Sequence, residues 1–136
     1  MELTRTLVCV FACLAVAACG QSAPSATSSK SPPSCAGTFA AAITSADPTP
    51  GVWDCLSAAY QNRLQGEGDG VFALETPLWT HPHYLGLDRN IALFDMTVNR
   101  QVEPAVYNPP VTHVVMAVYL DQQGRVDHAK AATPTG

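Results

Sequence analysis

The 136 residues carry seven Lys and Arg against eleven Asp and Glu, a formal net charge of −4. The basic side chains are scattered, with no Lys/Arg cluster or stripe, which argues against nucleic acid as a partner and against electrostatic docking to anionic lipid. No internal repeat, heptad or charge block interrupts the chain, and the length leaves room for one small domain beyond its N-terminal region.

The chain opens with a short charged start in which Glu2 offsets Arg5. It then runs from Leu7 to Ala18 as "LVCVFACLAVAA" without a polar side chain. As a helix this run rises about 18 Å, well short of the roughly 30 Å hydrocarbon core of a bilayer. A charged start, a short apolar run and small residues at its end are the parts of a secretory signal peptide. The run closes on "VAAC", Val16 to Cys19, which resembles the lipobox of bacterial lipoproteins. The resemblance implies cleavage between Ala18 and Cys19 and a lipidated Cys19, with acyl chains such as palmitate holding the protein to its membrane. One chain anchors marginally and two or more hold stably, at about 0.8 kcal/mol per buried methylene. Gly20, not an acidic residue, follows the cysteine. Residence at the cell membrane or outer membrane is therefore expected, with the domain outside the cytoplasm. An ordinary secretory signal with an incidental Cys19 is the alternative.

Residues 20–34, "GQSAPSATSSKSPPS", hold six Ser, three Pro and no large apolar side chain. Such a composition cannot bury enough surface to offset its ordering entropy. As a flexible coil it reaches about 20 Å, a tether that stands a domain off the headgroups. The expected organisation is a signal peptide (1–18), lipidated Cys19 with its tether (19–34) and one small domain (35–136). Exported, that chain retains Cys35 and Cys55 besides Cys19. An even count in an oxidising compartment predicts a Cys35–Cys55 disulfide, against the alternative of two buried thiols.

Within the domain, "AGTFAAAITSAD" (36–47) predicts a helix with Phe39, Ile43 and Ala46 on one face, stopped by Asp47-Pro48. "TPGVWDCLSAAYQNRLQ" (49–65) predicts a second, with Thr49 as N-cap, Pro50 at its first position and Val52, Trp53, Leu56, Ala59, Tyr60 and Leu64 at helical spacing. "GEGDG" (66–70) ends it. A simple antiparallel hairpin of these helices would put Cys35 about 18 Å from the turn and Cys55 only about 8 Å, whereas bridged Cα atoms approach within about 7 Å. Steeply crossed helices, or a fold-back around Cys35, are needed to keep the bond. Strands are predicted at "VFALE" (71–75), "IALFDMTV" (91–98), "VTHVVMAVYL" (111–120) and "RVDHAKA" (125–131), the last two joined across "DQQG". Loops punctuated by Pro77, Pro82, Pro104, Pro109 and Pro110 fill the rest. Helices followed by a mainly antiparallel sheet make an α+β class.

This element order, the "ADPTPGVWDCLSAAYQNRL" helix pair and the closing hairpin resemble the NTF2-like (cystatin-like α+β) domains, over roughly residues 36–131. The resemblance implies N-terminal helices packed on a curved sheet that can close a conical pocket. The chain departs from that pattern in having two helices, with the 77–90 loop where a third is expected.

Several side chains invite chemical readings. His81 and His83 in "THPHYLGLD" would point the same way on an extended segment, and His113, His128 or Asp88 could complete a zinc-type set. No HExxH or Cys/His spacing accompanies them, and Pro82 favours a solvated loop. Asp95 interrupts an apolar strand and His113 shares a strand face with Val111, Val115 and Tyr119, so the pair is the candidate for acid–base work in a pocket. The competing reading is a solvent-facing or core histidine. Ser57 lacks a nucleophile-elbow context, and "GEGDG" matches neither a phosphate cradle nor an EF-hand. Trp53, Trp79 and Tyr84 read as core or loop anchors before a recognition surface. The leading expectation is a non-enzymatic binding or interaction module that needs no cofactor and contacts an envelope protein or a small ligand. A small NTF2-like enzyme using Asp95 and His113 is the alternative.

Overall fold

In "IALFDMTV" every second residue is apolar and bulky enough to fill one side of a pleated surface. That alternation forms a strand over Ile91–Val98 in which Ala92, Phe94, Met96 and Val98 are buried and the intervening residues half-exposed. The computed structural model describes residues 31–101 and 111–133. Its four strands are β1 (Trp79–Asp88), β2 (Ile91–Val98), β3 (His113–Leu120) and β4 (Val126–Ala132). They form one antiparallel sheet in the order β1-β2-β3-β4. Phe94 faces Met116 across the β2–β3 pair, and Val114, Met116, Val118 and Leu120 extend the buried surface.

The hairpins follow from local chemistry. Arg89 takes a left-handed φ of 57° in the two-residue link between Asp88 and Ile91. In "DQQG" the Asp121 carboxylate accepts from the backbone N–H groups of Gln123 and Arg125, and Gly124 supplies the positive φ that closes the turn.

Strand β1 lies where a loop was expected. Pro82 has no N–H to give a ladder, but β1 is at the sheet edge, where a missing donor is tolerated. The pairing slips between Thr80 and His83, leaving His81 and Pro82 together opposite Met96, and His81 adopts a φ of 52°. This bulge absorbs the proline.

The helices are shorter than predicted. Helix α1 spans Ser34–Ile43 and buries Ala36, Phe39, Ala40 and Ile43 against the sheet. Thr44 ends it by returning its hydroxyl to the Ala40 carbonyl, so Ala46 lies beyond the helix. The predicted 49–65 helix does not form as one piece. Thr49 and Pro50 precede Gly51 at φ 82°, and a single 3-10 turn spans Trp53–Cys55. Leu56 is extended and bridges Val126 in parallel, and Ser57 then caps a second helix, α2 (Ala58–Arg63). Breaking the helix at Leu56 removes the geometric conflict over the cysteines. Cys35 at the start of α1 and Cys55 in the 3-10 turn form a disulfide with Cα atoms 5.0 Å apart.

Nor is "VFALE" a strand: Asp69–Phe72 is a 3-10 turn entered through Gly68 at φ 75°. The Asp69 carboxylate accepts from the Gly51 and Trp53 N–H groups, so "GEGDG" works as a clamp on the disulfide-bearing segment. The domain is α+β, a four-stranded antiparallel sheet with short helices packed on one face.

Candidate functional site

On the sheet face opposite the helices, the register brings His83 of β1 opposite Asp95 of β2, with Val115 of β3 on its other side. Two residue pairs along, on the same face, His113 sits opposite Thr97 and its Nδ1 lies 3.2 Å from Asp95 Oδ2. The candidate acid–base pair is therefore assembled, and on one face. That face is open: the two side chains are 49% and 36% exposed. His113 shares it with Val115 and Tyr119, as the alternation requires, whereas Val111 lies outside the strand and packs against the core. A carboxylate beside an imidazole can orient the ring and relay a proton. In open solvent the pair lacks the water exclusion that makes such a dyad strong.

The loop histidines separate. His81 sits in the bulge with its Nδ1 3.0 Å from Thr80 Oγ1, while His83 belongs to the open sheet face. His128 stacks on Tyr119, with ring centroids 4.1 Å apart, and Asp88 ends β1 opposite Ile91. Among the described residues no three His, Cys, Asp or Glu side chains are grouped to hold a metal ion.

A Ser, an Asp and a His do meet elsewhere, in an order unsuited to nucleophilic catalysis. Ser57 Oγ donates to Asp127 Oδ1 at 3.0 Å, and His128 Nδ1 lies 3.1 Å from Asp127 Oδ2. The carboxylate thus stands between serine and imidazole, so no base faces the hydroxyl. The hydrogen bond with His128, then that from Ser57, holds the Asp127 carboxyl below the usual carboxylate range. Ser57 also accepts from the Tyr60 N–H, and its own N–H reaches the Val126 carbonyl, so the cluster ties α2 to β4.

Between α1, the Asp69–Phe72 turn and the helix-side face of β4 runs an apolar groove. One cavity of ≈ 200 Å³ is lined by Phe39, Tyr60, Met116 and Ala131 among others. A second of ≈ 110 Å³, lined by Val71, Leu74 and Leu78, adjoins it through the shared Ile43, Phe72 and Trp79. Phe39, Tyr60 and Phe72 form a tilted and edge-on aromatic trio at its base. Burial pushes the Tyr60 phenol up, with the Arg63 charge opposing. The Arg63 guanidinium lies 4.9 Å from the Tyr60 ring centre.

Trp53, Trp79 and Tyr84 all pack against the core, and Trp79 also lines the groove. The groove escaped the sequence reading because its walls come from six separate elements; the apolar "VFALE" was its one local signal. Cys19, the expected signal peptide and most of the expected tether lie outside the described residues. Comparison of the chain with protein-family models, curated proteins and solved structures finds no match.

Proposed function

We propose that this protein is a bacterial envelope lipoprotein, anchored through acyl chains on Cys19, whose domain is a non-enzymatic binding or interaction module. The observation that carries the anchor is the border itself. "VAAC" ends an apolar run too short to span a bilayer, and the Ser/Pro-rich stretch behind it leads to α1, which begins at Ser34. The Cys35–Cys55 bond supports export, because such bonds persist in oxidising compartments. The apolar groove supports binding over catalysis, since no general acid or base of the open face lines it. The alternative, a small NTF2-like enzyme, is favoured by one observation, the 3.2 Å contact between Asp95 and His113. Their exposure favours the binding reading.

Cell fractionation tests the anchor. The wild-type protein is expected in the membrane pellet and Cys19→Ala in the soluble fraction; a variant that stays with the membrane refutes the anchor. Native mass spectrometry of the wild-type protein from its own envelope tests the module. A mass excess that disappears on denaturation is the expected result, and turnover that depends on Asp95 and His113 would replace this reading with the enzymatic one.

A further inference from the structure

We infer that the groove beneath α1 binds the alkyl chain of a free, single-tailed anionic amphiphile of the fatty-acid type, with Arg63 taking its head group. This deepens the binding-module reading by naming the ligand class, and it does not require the anchor.

The lining sets the chemistry of the tail. Phe39, Ile43, Phe72, Trp79, Met116 and Ala131 leave apolar surface open to the groove, and such surface is driven to be covered. Size narrows the choice. Cavities of ≈ 200 and ≈ 110 Å³ are each smaller than the roughly 300–1,000 Å³ of small-molecule sites and only together approach its lower end. That is room for part of one alkyl chain laid along the groove.

The head group follows from charge. Tyr60 lines the groove on its α2 side, and the Arg63 guanidinium lies 4.9 Å from the centre of that ring, next to the lining. Arg63 donates to the Asp127 backbone carbonyl, which fixes it beside β4. Among the described residues no carboxylate lies within ion-pair distance of it; the Asp127 carboxylate feels its charge but takes its hydrogen bonds from Ser57 and His128. A guanidinium has five N–H donors in a planar fork suited to a carboxylate or phosphate. Tyr60, a neutral phenol whose titration burial pushes further up, lies beside it.

The test uses the full chain in intact cells and one probe, a palmitic acid carrying a mid-chain diazirine and a terminal alkyne. After irradiation, light-dependent adducts are expected on peptides containing Phe72–Trp79 or Ala129–Ala131. Ala131→Phe, which fills the groove from an exposed position, should cut adduct yield tenfold or more. Ala132→Phe, on the opposite face of the same strand, should leave it unchanged. Arg63→Gln should lower it about two- to fivefold, the range for an exposed ion pair. Retention of the Cys35–Cys55 bond on non-reducing gels confirms that each variant folds.

The adduct must persist in Cys19→Ala. Its loss there would make the occupant the anchor's own chain and overturn the inference, as would absence of any light-dependent adduct or indifference to Ala131→Phe. The anchor is read separately, as alkyne label on Cys19 that needs no light, so either reading can fail alone.

Discussion

Removing the disulfide, by Cys35→Ala with Cys55→Ala, should cost the domain a large share of its stability. The two cysteines are 20 residues apart, and closing a loop of that length removes unfolded-chain entropy worth about 3.3 kcal/mol at 25 °C. A domain of this size has a net stability of about 5–15 kcal/mol, so between about a fifth and two-thirds of it depends on one bond. At about 4–8 °C per kcal/mol for a small domain, Tm should fall by about 13–26 °C. The unfolded chain also becomes less compact, so the urea m-value should rise along with the fall in midpoint. The assay is paired urea and thermal unfolding, with each single-cysteine variant as control. Hydrogen exchange adds a local readout, because the bond pins the segment that carries the Leu56–Val126 bridge and the Ser57 N–H to Val126 contact. Those amides should lose protection before β2 and β3 do. A loss below about 1 kcal/mol, or unchanged exchange at Leu56 and Ser57, would refute the reasoning.

Asp69→Ala leaves the Gly51 and Trp53 N–H groups without their acceptor and should destabilise by about 1–2 kcal/mol in urea unfolding; a change within 0.5 kcal/mol would remove the clamp assignment. Asp127, with its carboxyl held low by His128 and Ser57, contributes stability that is present above the ordinary carboxylate range and lost as pH falls through its depressed value. Urea midpoints of wild type and Asp127→Asn should therefore differ at pH 7 and converge in acid, and a constant gap would contradict this. The Tyr84 hydroxyl is buried with no hydrogen-bond partner among the described residues, so Tyr84→Phe should leave thermal stability unchanged or raise it by up to about 1 kcal/mol. A loss of more than about 1 kcal/mol would mean that the hydroxyl has a partner.

Legibility in the sequence tracked how local each determinant is. The Ile91–Val98 strand was predicted to its end residues because a short apolar run is a local signal, complete within eight positions. The Asp121–Gly124 turn carries its own hydrogen-bond acceptor and its own glycine. The 49–65 segment fails for the opposite reason. Its helical spacing is real, but Leu56 finds a strand partner 70 residues away and Cys55 is bonded back to Cys35. Two long-range ties outweigh a periodicity whose total propensity advantage is only a few tenths of a kcal/mol per residue. The geometric conflict over the cysteines pointed to crossed helices or a fold-back around Cys35; Cys35 is helical instead, and the chain breaks at Leu56.

Strand β1 shows how a local rule can mislead while remaining sound. Pro82 cannot donate to a ladder, and its placement at an edge, inside a bulge, respects that constraint. What the sequence left open was where the strand would lie in the sheet. Pairing with β2 then decided the histidines: it set His83 opposite Asp95 and left His81 in the bulge, separating two residues that periodicity alone would have aligned. The Asp95–His113 contact was foreseeable only as two residues on half-buried strands; their meeting depends on a β2–β3 register in which Thr97 faces His113. A one-residue slip would carry Asp95 to the helix side. The same alternation that buries Phe94 and Met96 therefore keeps the carboxylate and imidazole in solvent. It also leaves the helix-side groove walled by apolar side chains, which is why binding and not acid–base chemistry is proposed for that face.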